Sequence, residues 1–140
     1  MSLLLSYNSS PRINELSVKR SANFKVNEGG EMPIKVTYAL ATSDPSEEST
    51  CEVKLTADLE GEDTPLDLNI EVSAIFSIAG EPTNEELQKA GATIGGPILF
   101  TATREYVADT TRKMGYPPLL LPYPNFENAQ PKEINDQLGE

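Results

Sequence analysis

Histidine is absent from all 140 residues. That removes the usual general base near neutral pH, and with it every Ser-His-Asp or Cys-His arrangement. Cysteine occurs once, at Cys51, so no internal disulfide framework and no cysteine-rich metal cluster can form. A metal site would have to rest on carboxylates alone, which suits hard cations. Basic residues are scarce as well: 11 Lys and Arg stand against 22 Asp and Glu, for a net charge of −11. Phosphate recognition needs a positive patch that displaces counterions, so a nucleic-acid partner is excluded and an anionic membrane surface is disfavoured. No apolar run approaches the ~20 residues of a bilayer-spanning helix. Met1 to Tyr7 has three leucines but no basic flank, and reads as neither signal peptide nor anchor. The expectation is a cytoplasmic protein in a reducing compartment, without direct membrane insertion.

The residues that remain offer little to a catalyst. The adjacent carboxylates Glu47-Glu48 and Glu85-Glu86 lie in polar contexts, and neighbouring side chains diverge. Cys51 falls on the apolar side of an alternating stretch with nothing basic beside it, as an inert buried thiol would. Gly95-Gly96-Pro97 lacks the lysine and the spacing of a phosphate loop, and reads as a tight turn. We therefore assign no catalytic residue, no cofactor and no metal.

What is present is period-2 patterning. Leu16 and Val18, then Ala22, Phe24 and Val26, share a parity that Arg20 interrupts, which predicts an irregularity there. Ile34 to Leu40, Cys51 to Leu59 and Leu66 to Ile78 alternate apolar and polar residues. Together these are four half-buried antiparallel strands. Thr42 to Thr50 is an acidic loop, and Gly61 to Pro65 a hairpin turn. After Gly80 the period becomes helical. Thr83 and Glu86 have capping-box spacing for a short helix that Gly91 should stop. A long helix should open at Pro97 and end in a left-handed cap at Gly115, with Leu99, Ala102, Tyr106, Thr110 and Met114 along its buried face. Asp109 and Lys113 pair on its exposed side. From Tyr116 to Phe126, four prolines forbid a helix and favour an extended course crowded with tyrosines, leucines and a phenylalanine. The residues from about 129 onward form a short polar tail to a single domain spanning 1–140.

The run Ala74-Ile75-Phe76-Ser77-Ile78-Ala79-Gly80, the helix opening Pro97-Ile98-Leu99-Phe100-Thr101-Ala102-Thr103-Arg104-Glu105, and Gly115-Tyr116-Pro117-Pro118-Leu119-Leu120-Leu121-Pro122-Tyr123-Pro124-Asn125-Phe126 resemble the export chaperone family SecB. The likeness extends over roughly residues 12 to 128. It implies an α+β fold: a four-stranded antiparallel sheet with the long helix packed on one face, assembled as a homotetramer, a dimer of dimers. It further implies an ATP-independent chaperone that holds unfolded polypeptides or preproteins. Phe76, Ile78, Tyr116, Leu119, Leu121, Tyr123 and Phe126 would contact clients, and Glu15, Asp67 and Glu71 would lie on the face that docks the translocase ATPase SecA. Three features depart from the family pattern: Thr101 and Thr103 in the helix opening with Gly95-Gly96 before it, a short tail interrupted by Pro131 where typical members carry a longer apolar C-terminal helix, and Lys19 and Asn69 where acids are expected. The alternatives are a chaperone dedicated to one client, such as an antitoxin, and an adaptor that keeps the fold without binding clients.

Overall fold

The computed structural model describes residues 4–20, 36–59, 66–124 and 126. The expectations for Ala22, Phe24, Val26, Ile34, the Gly61–Pro65 turn and the polar tail fall outside these residues. Five strands form one antiparallel sheet: β1 (Leu5–Tyr7), β2 (Arg12–Arg20), β3 (Val36–Thr42), β4 (Thr50–Leu59) and β5 (Leu66–Ile78). β5 pairs with β4 along one side, and β4 in turn pairs with β3. The other side of β5 is shared end to end, β1 covering Phe76–Ile78 and β2 covering Leu66–Ser73. The sheet is thus four strands wide, as expected, but built from five segments. β1 is three residues long, too short for alternation to show in the sequence.

The irregularity in β2 is not at Arg20, which pairs in regular register with Leu66; it lies between Ile13 and Glu15. One extra residue there keeps Ile13 on the same face as Leu16 and Val18, because Ile13 stands opposite Val72, Leu16 opposite Ile70 and Val18 opposite Leu68. Every second residue of β4, from Cys51 to Leu59, is buried, as are Leu68, Ile70, Val72, Ala74 and Phe76 of β5. Burial also pushes the Cys51 thiol above its ordinary pKa.

The helical half of the chain is more continuous than the sequence suggests. Helix α1 (Asn84–Ala90) opens with the full capping box: Glu86 N–H donates to Thr83 Oγ1 at 3.1 Å, and Thr83 N–H donates to Glu86 Oε1 at 2.8 Å. That backbone donor holds the Glu86 carboxyl below its usual pKa. Gly91 does not stop the helix. It keeps right-handed helical angles and leads into a π-helical turn, Gly91–Gly95, whose first carbonyl accepts from Gly96 N–H, and α2 (Gly96–Lys113) follows at once. Gly91 is required by close approach rather than by chain reversal, since a Cβ there would run into the Thr42 side chain.

The deepest line of α2 is Leu99, Thr103, Val107 and Thr111, with Phe100 beside it. The expected stripe of Ala102, Tyr106 and Met114 lies half-buried on its flank. Two threonines can take the deepest positions because their hydroxyls donate back into the helix, Thr103 to Leu99 O at 2.8 Å and Thr111 to Val107 O at 3.0 Å. Asp109 and Lys113 pair at 2.9 Å, with Arg112 alongside; these cations keep the Asp109 carboxyl below its usual pKa. The helix ends in a Schellman motif, with Gly115 at φ 92°, Gly115 N–H donating to Arg112 O and Tyr116 N–H donating to Thr111 O.

Thr83→Ala should destabilise the chain by about 1 kcal/mol in urea unfolding. Because folding lowers the Glu86 and Asp109 pKa values, their contributions are complete above the ordinary carboxylate range and fade as pH falls through the folded values. The difference between Thr83→Ala and the parent should therefore shrink in acid. Thr111→Val should cost about 1–3 kcal/mol by orphaning a buried N–H, whereas Thr111→Ser should recover most of the loss; urea midpoints for the two variants check it.

Candidate client-binding surface

After the cap at Gly115 the chain turns back along α2 as a proline-rich strap. Leu119 N–H donates to Thr111 Oγ1 at 2.9 Å, near the C-terminal end of the helix. Phe126 lies against Gly96 at the N-terminal end, where a Cβ would stand 2.6 Å from the ring. Thr111 to Gly96 is 15 helical steps, or about 22 Å at 1.5 Å each. The strap therefore runs antiparallel to the helix, with Leu119 beside Thr111 and Phe126 beside Gly96. A side tie comes from β3: the Tyr38 hydroxyl donates to Pro122 O at 2.6 Å. Burial raises the Tyr38 pKa well above its ordinary value, so the phenol stays protonated as a donor.

The strap has two sides. Leu119, Leu121 and Phe126 are buried in the subunit, while Leu120 is 61 % exposed and Tyr123 57 % exposed. The rings of Phe100, Tyr123 and Phe126 meet edge to face at 5.1–6.3 Å, and Tyr38 joins through Phe100 at 6.0 Å. Tyr123 thus packs at near-right angles on two rings while much of its surface stays open.

The remaining candidates divide between two other places. Phe76 is fully buried at the end of β5, stacked under the exposed Tyr7 at 5.9 Å; Ile78 is half-buried opposite Leu5. Tyr116 is half-buried just past the helix cap. The structure therefore gathers Leu119, Leu121, Tyr123 and Phe126 along α2 and places Phe76 and Ile78 against β1. Sequence reasoning missed Tyr7, Leu120 and Tyr38. Leu120 was hidden by its neighbours, because three consecutive leucines show no period, although an extended chain keeps successive side chains off one common face. A groove of about 440 Å³ lies between the β1–β2 connection (Tyr7, Ser10, Pro11) and α2 (Ile98, Ala102, Tyr106). Ile13 and Leu16, each 40 % exposed, lie on the same face of the sheet as the buried residues of β5.

Glu15, Asp67 and Glu71 lie on the opposite face of the sheet. Glu15 stands across from Glu71, whose carboxylate accepts from Asn14 Nδ2 at 3.0 Å, and Asp67 stands across from Lys19. The same face carries Glu52 between Arg12 and Lys54. Charge is mixed there, and Glu15 with Glu71 is its one directly opposed like-charge pair among the described residues of β2 and β5. Among the described residues no cluster of three or more metal-ligating side chains occurs, and no helix is long and apolar enough to cross a membrane.

Comparison with known proteins agrees with this architecture. The family model of the preprotein translocase subunit SecB matches residues 13–137. The protein-export protein SecB of Alcanivorax borkumensis is 26% identical over 129 residues, covering 92% of this chain and 71% of that protein. Its counterpart from the Wolbachia of Culex pipiens is 34% identical over 100 residues, covering 66% of this chain and 59% of that protein. A SecB-like chaperone of Mycobacterium tuberculosis, solved in complex with a ChAD peptide from the HigA1 antitoxin, shares the fold with a TM-score of 0.72 at 24% identity, covering 84% of this chain and 88% of that one. With a family match across nearly its whole length, the chain belongs to the SecB family.

Proposed function

We propose that the protein is an ATP-independent holdase that takes extended segments of unfolded polypeptides along the proline-rich strap and the adjacent edge of the sheet, working as a homotetramer. The observation that carries this reading is the outward display of Leu120 and Tyr123 on a strap anchored from its other side. Each apolar side chain that a client covers is worth ~1.5–3 kcal/mol without demanding a particular partner geometry. β3 supports the same reading. Among the described residues it is hydrogen-bonded on one side only, to β4, and its sequence Val36–Thr42 contains neither charge nor proline to block the other side. Backbone groups on such an edge bind extended chains regardless of sequence. The charge of −11 keeps a sticky surface soluble and steers basic segments toward it.

Within this site Tyr123 and Tyr116 meet the client directly, and Leu119, Leu121 and Phe126 form the layer beneath; Ile78 with Phe76 under it, beside β1 at the other margin of the sheet, offers the client a second apolar contact. Glu15, Glu71 and Asp67, on the far face of the sheet, provide a separate surface for a basic partner in the manner of SecA. The peptide complex of the mycobacterial relative supports a polypeptide ligand for the fold, and a single dedicated client is the narrower form of the same proposal.

The native protein should suppress light scattering by an aggregating unfolded protein at substoichiometric tetramer; no suppression would favour the adaptor reading. Leu120→Asp and Tyr123→Asp should each weaken protection several-fold; Leu120→Asp should shift stability by no more than about 0.5 kcal/mol, as exposed positions do, whereas Tyr123→Asp should also lose its ring contacts with Phe100 and Phe126. Leu119→Asp, in contrast, should unfold the subunit. Solution mass by light scattering should be four times the 15.2 kDa of one chain, and a monomer would remove the assembly from the proposal.

A further inference from the structure

β2 is a poorly covered strand. Arg12 to Ser17 are all exposed, and so is Lys19, although the apolar face of β5 beside them is buried. Among the described residues β2 is hydrogen-bonded on one side only, to β5, and Arg12–Arg20 contains no proline to block the free side. Two features of this strand have no explanation within one subunit. Ile13 and Leu16 extend the apolar floor of β5 outward, yet both are exposed. On the other face Glu15 stands directly across from Glu71, an opposition of like charge that destabilises a sheet. Neither Glu15 nor Lys19 forms an ion pair among the described residues.

We propose that the free edge of β2 pairs with β2 of a second copy, antiparallel, about a two-fold axis at Ser17. Symmetry then sets the partners: residues equidistant from the axis meet, and residues directly opposite share a face. An axis at Ser17 places Glu15 opposite the partner's Lys19 and Leu16 opposite the partner's Val18, each twice. Across the joined sheets one row of the far face reads Glu71, Glu15, the partner's Lys19, the partner's Asp67, so the acidic pair gains its cation. The matching row on the helix side reads Ile70, Leu16, the partner's Val18, the partner's Leu68, apolar throughout. Neighbouring axes do worse. One at Leu16 sets Glu15 against Ser17 and leaves it without a cation. One at Glu15 lines up four carboxylates, and one at Val18 sets Leu16 against Arg20. Charge therefore fixes the register that the apolar face alone leaves open. A charge guards an edge only while it lacks a partner, and here each strand brings the other's. The proposal rests on the homotetramer reading and names one of its interfaces. β3 and the strap tied to it lie at the opposite margin and stay free for clients, and Glu71 and Asp67 remain for a basic partner.

The test reads self-association of the full-length chain by sedimentation velocity over a concentration series. Lys19→Glu turns both cross-subunit ion pairs into repulsions, and Glu15→Lys does the same with the opposite sign. Each variant alone should weaken association about tenfold or more. An equimolar mixture of the two should restore it, because the altered strands complement each other; a merely structural effect of either substitution gives no such rescue. Should a charge variant not fold, as judged by circular dichroism, Ser17→Cys decides alone. Directly opposed Cα atoms lie about 4.5–5.5 Å apart, within disulfide reach. Mild oxidation of Ser17→Cys should therefore give a covalent dimer on a non-reducing gel, and Leu16→Cys should give little. A monomeric native chain, association unchanged in both charge variants, no rescue in the mixture, or crosslinking through Leu16→Cys in place of Ser17→Cys would each overturn the proposal. Aggregation protection separates this interface from the holdase reading. Native assembly and protection that persist in both charge variants remove the interface alone. Crosslinking and mixed rescue without any protection remove the holdase and leave the interface.

Discussion

Cys51, Val53, Leu55, Ala57 and Leu59 of β4 lie beside Leu68, Ile70, Val72, Ala74 and Phe76 of β5 in one register, so ten buried side chains form a single apolar floor. At ~1.5–3 kcal/mol for a large aliphatic or aromatic residue, leaving that floor wet would cost more than a small domain's whole stability. Something must lie on it, and must lie close. α2 does so through Leu99, Phe100, Thr103, Val107 and Thr111, and closeness explains the glycines at its start: a Cβ on Gly95 would stand 3.1 Å from both Val53 methyls. The π-helical turn belongs to the same constraint, because it lets α1 bury Leu87 and Ala90 while α2 keeps its own line on the sheet.

One helix does not cover four strands. On one flank the strap completes the cover, and its prolines decide how. A segment that cannot form a helix and has few N–H groups must run extended, so successive side chains do not share one face. Leu119 and Leu121 consequently go in and Leu120 goes out. The apolar display is thus a by-product of covering the core with an extended chain. On the other flank Tyr7 covers Phe76 but stays largely open itself, and Ile13 and Leu16 remain half in water. A member of a family of polypeptide-handling proteins has, in this way, apolar surface at both margins of its helix and charge on the far side of its sheet.

The threonines show how the same core tolerates polar groups. Thr103 and Thr111 are buried, yet both hydroxyls are bonded to helix carbonyls, and Thr111 also accepts the Leu119 amide. That single oxygen closes the helix's own hydrogen bonding and anchors the strap. Among the described residues no buried side-chain polar atom lacks a partner.

Much of the fold was legible in the residues. Alternation located β3, β4 and β5, Thr83 with Glu86 marked the start of α1, and Gly115 marked the end of α2. These signals are local: a strand's two faces, a cap and a left-handed turn are each specified within a few residues. Family membership was equally legible, because it rests on motifs in order along the chain. The proposed site was legible only as a segment. The prolines and apolar residues of 116–126 announced an extended strap, but which of its side chains face water depends on α2 and β3 lying beneath it. Gly91 reads as a stop by composition and is instead a point of contact with Thr42. Tyr38 reads as one more core residue and instead ties a segment 84 positions away. Secondary structure and kinship were therefore determined by the sequence itself, through short-range sterics and hydrogen bonding. The division of the strap into an anchored side and an open side was decided only by the tertiary structure, because burial is a property of what packs against a residue, and here that is chain from far along the sequence.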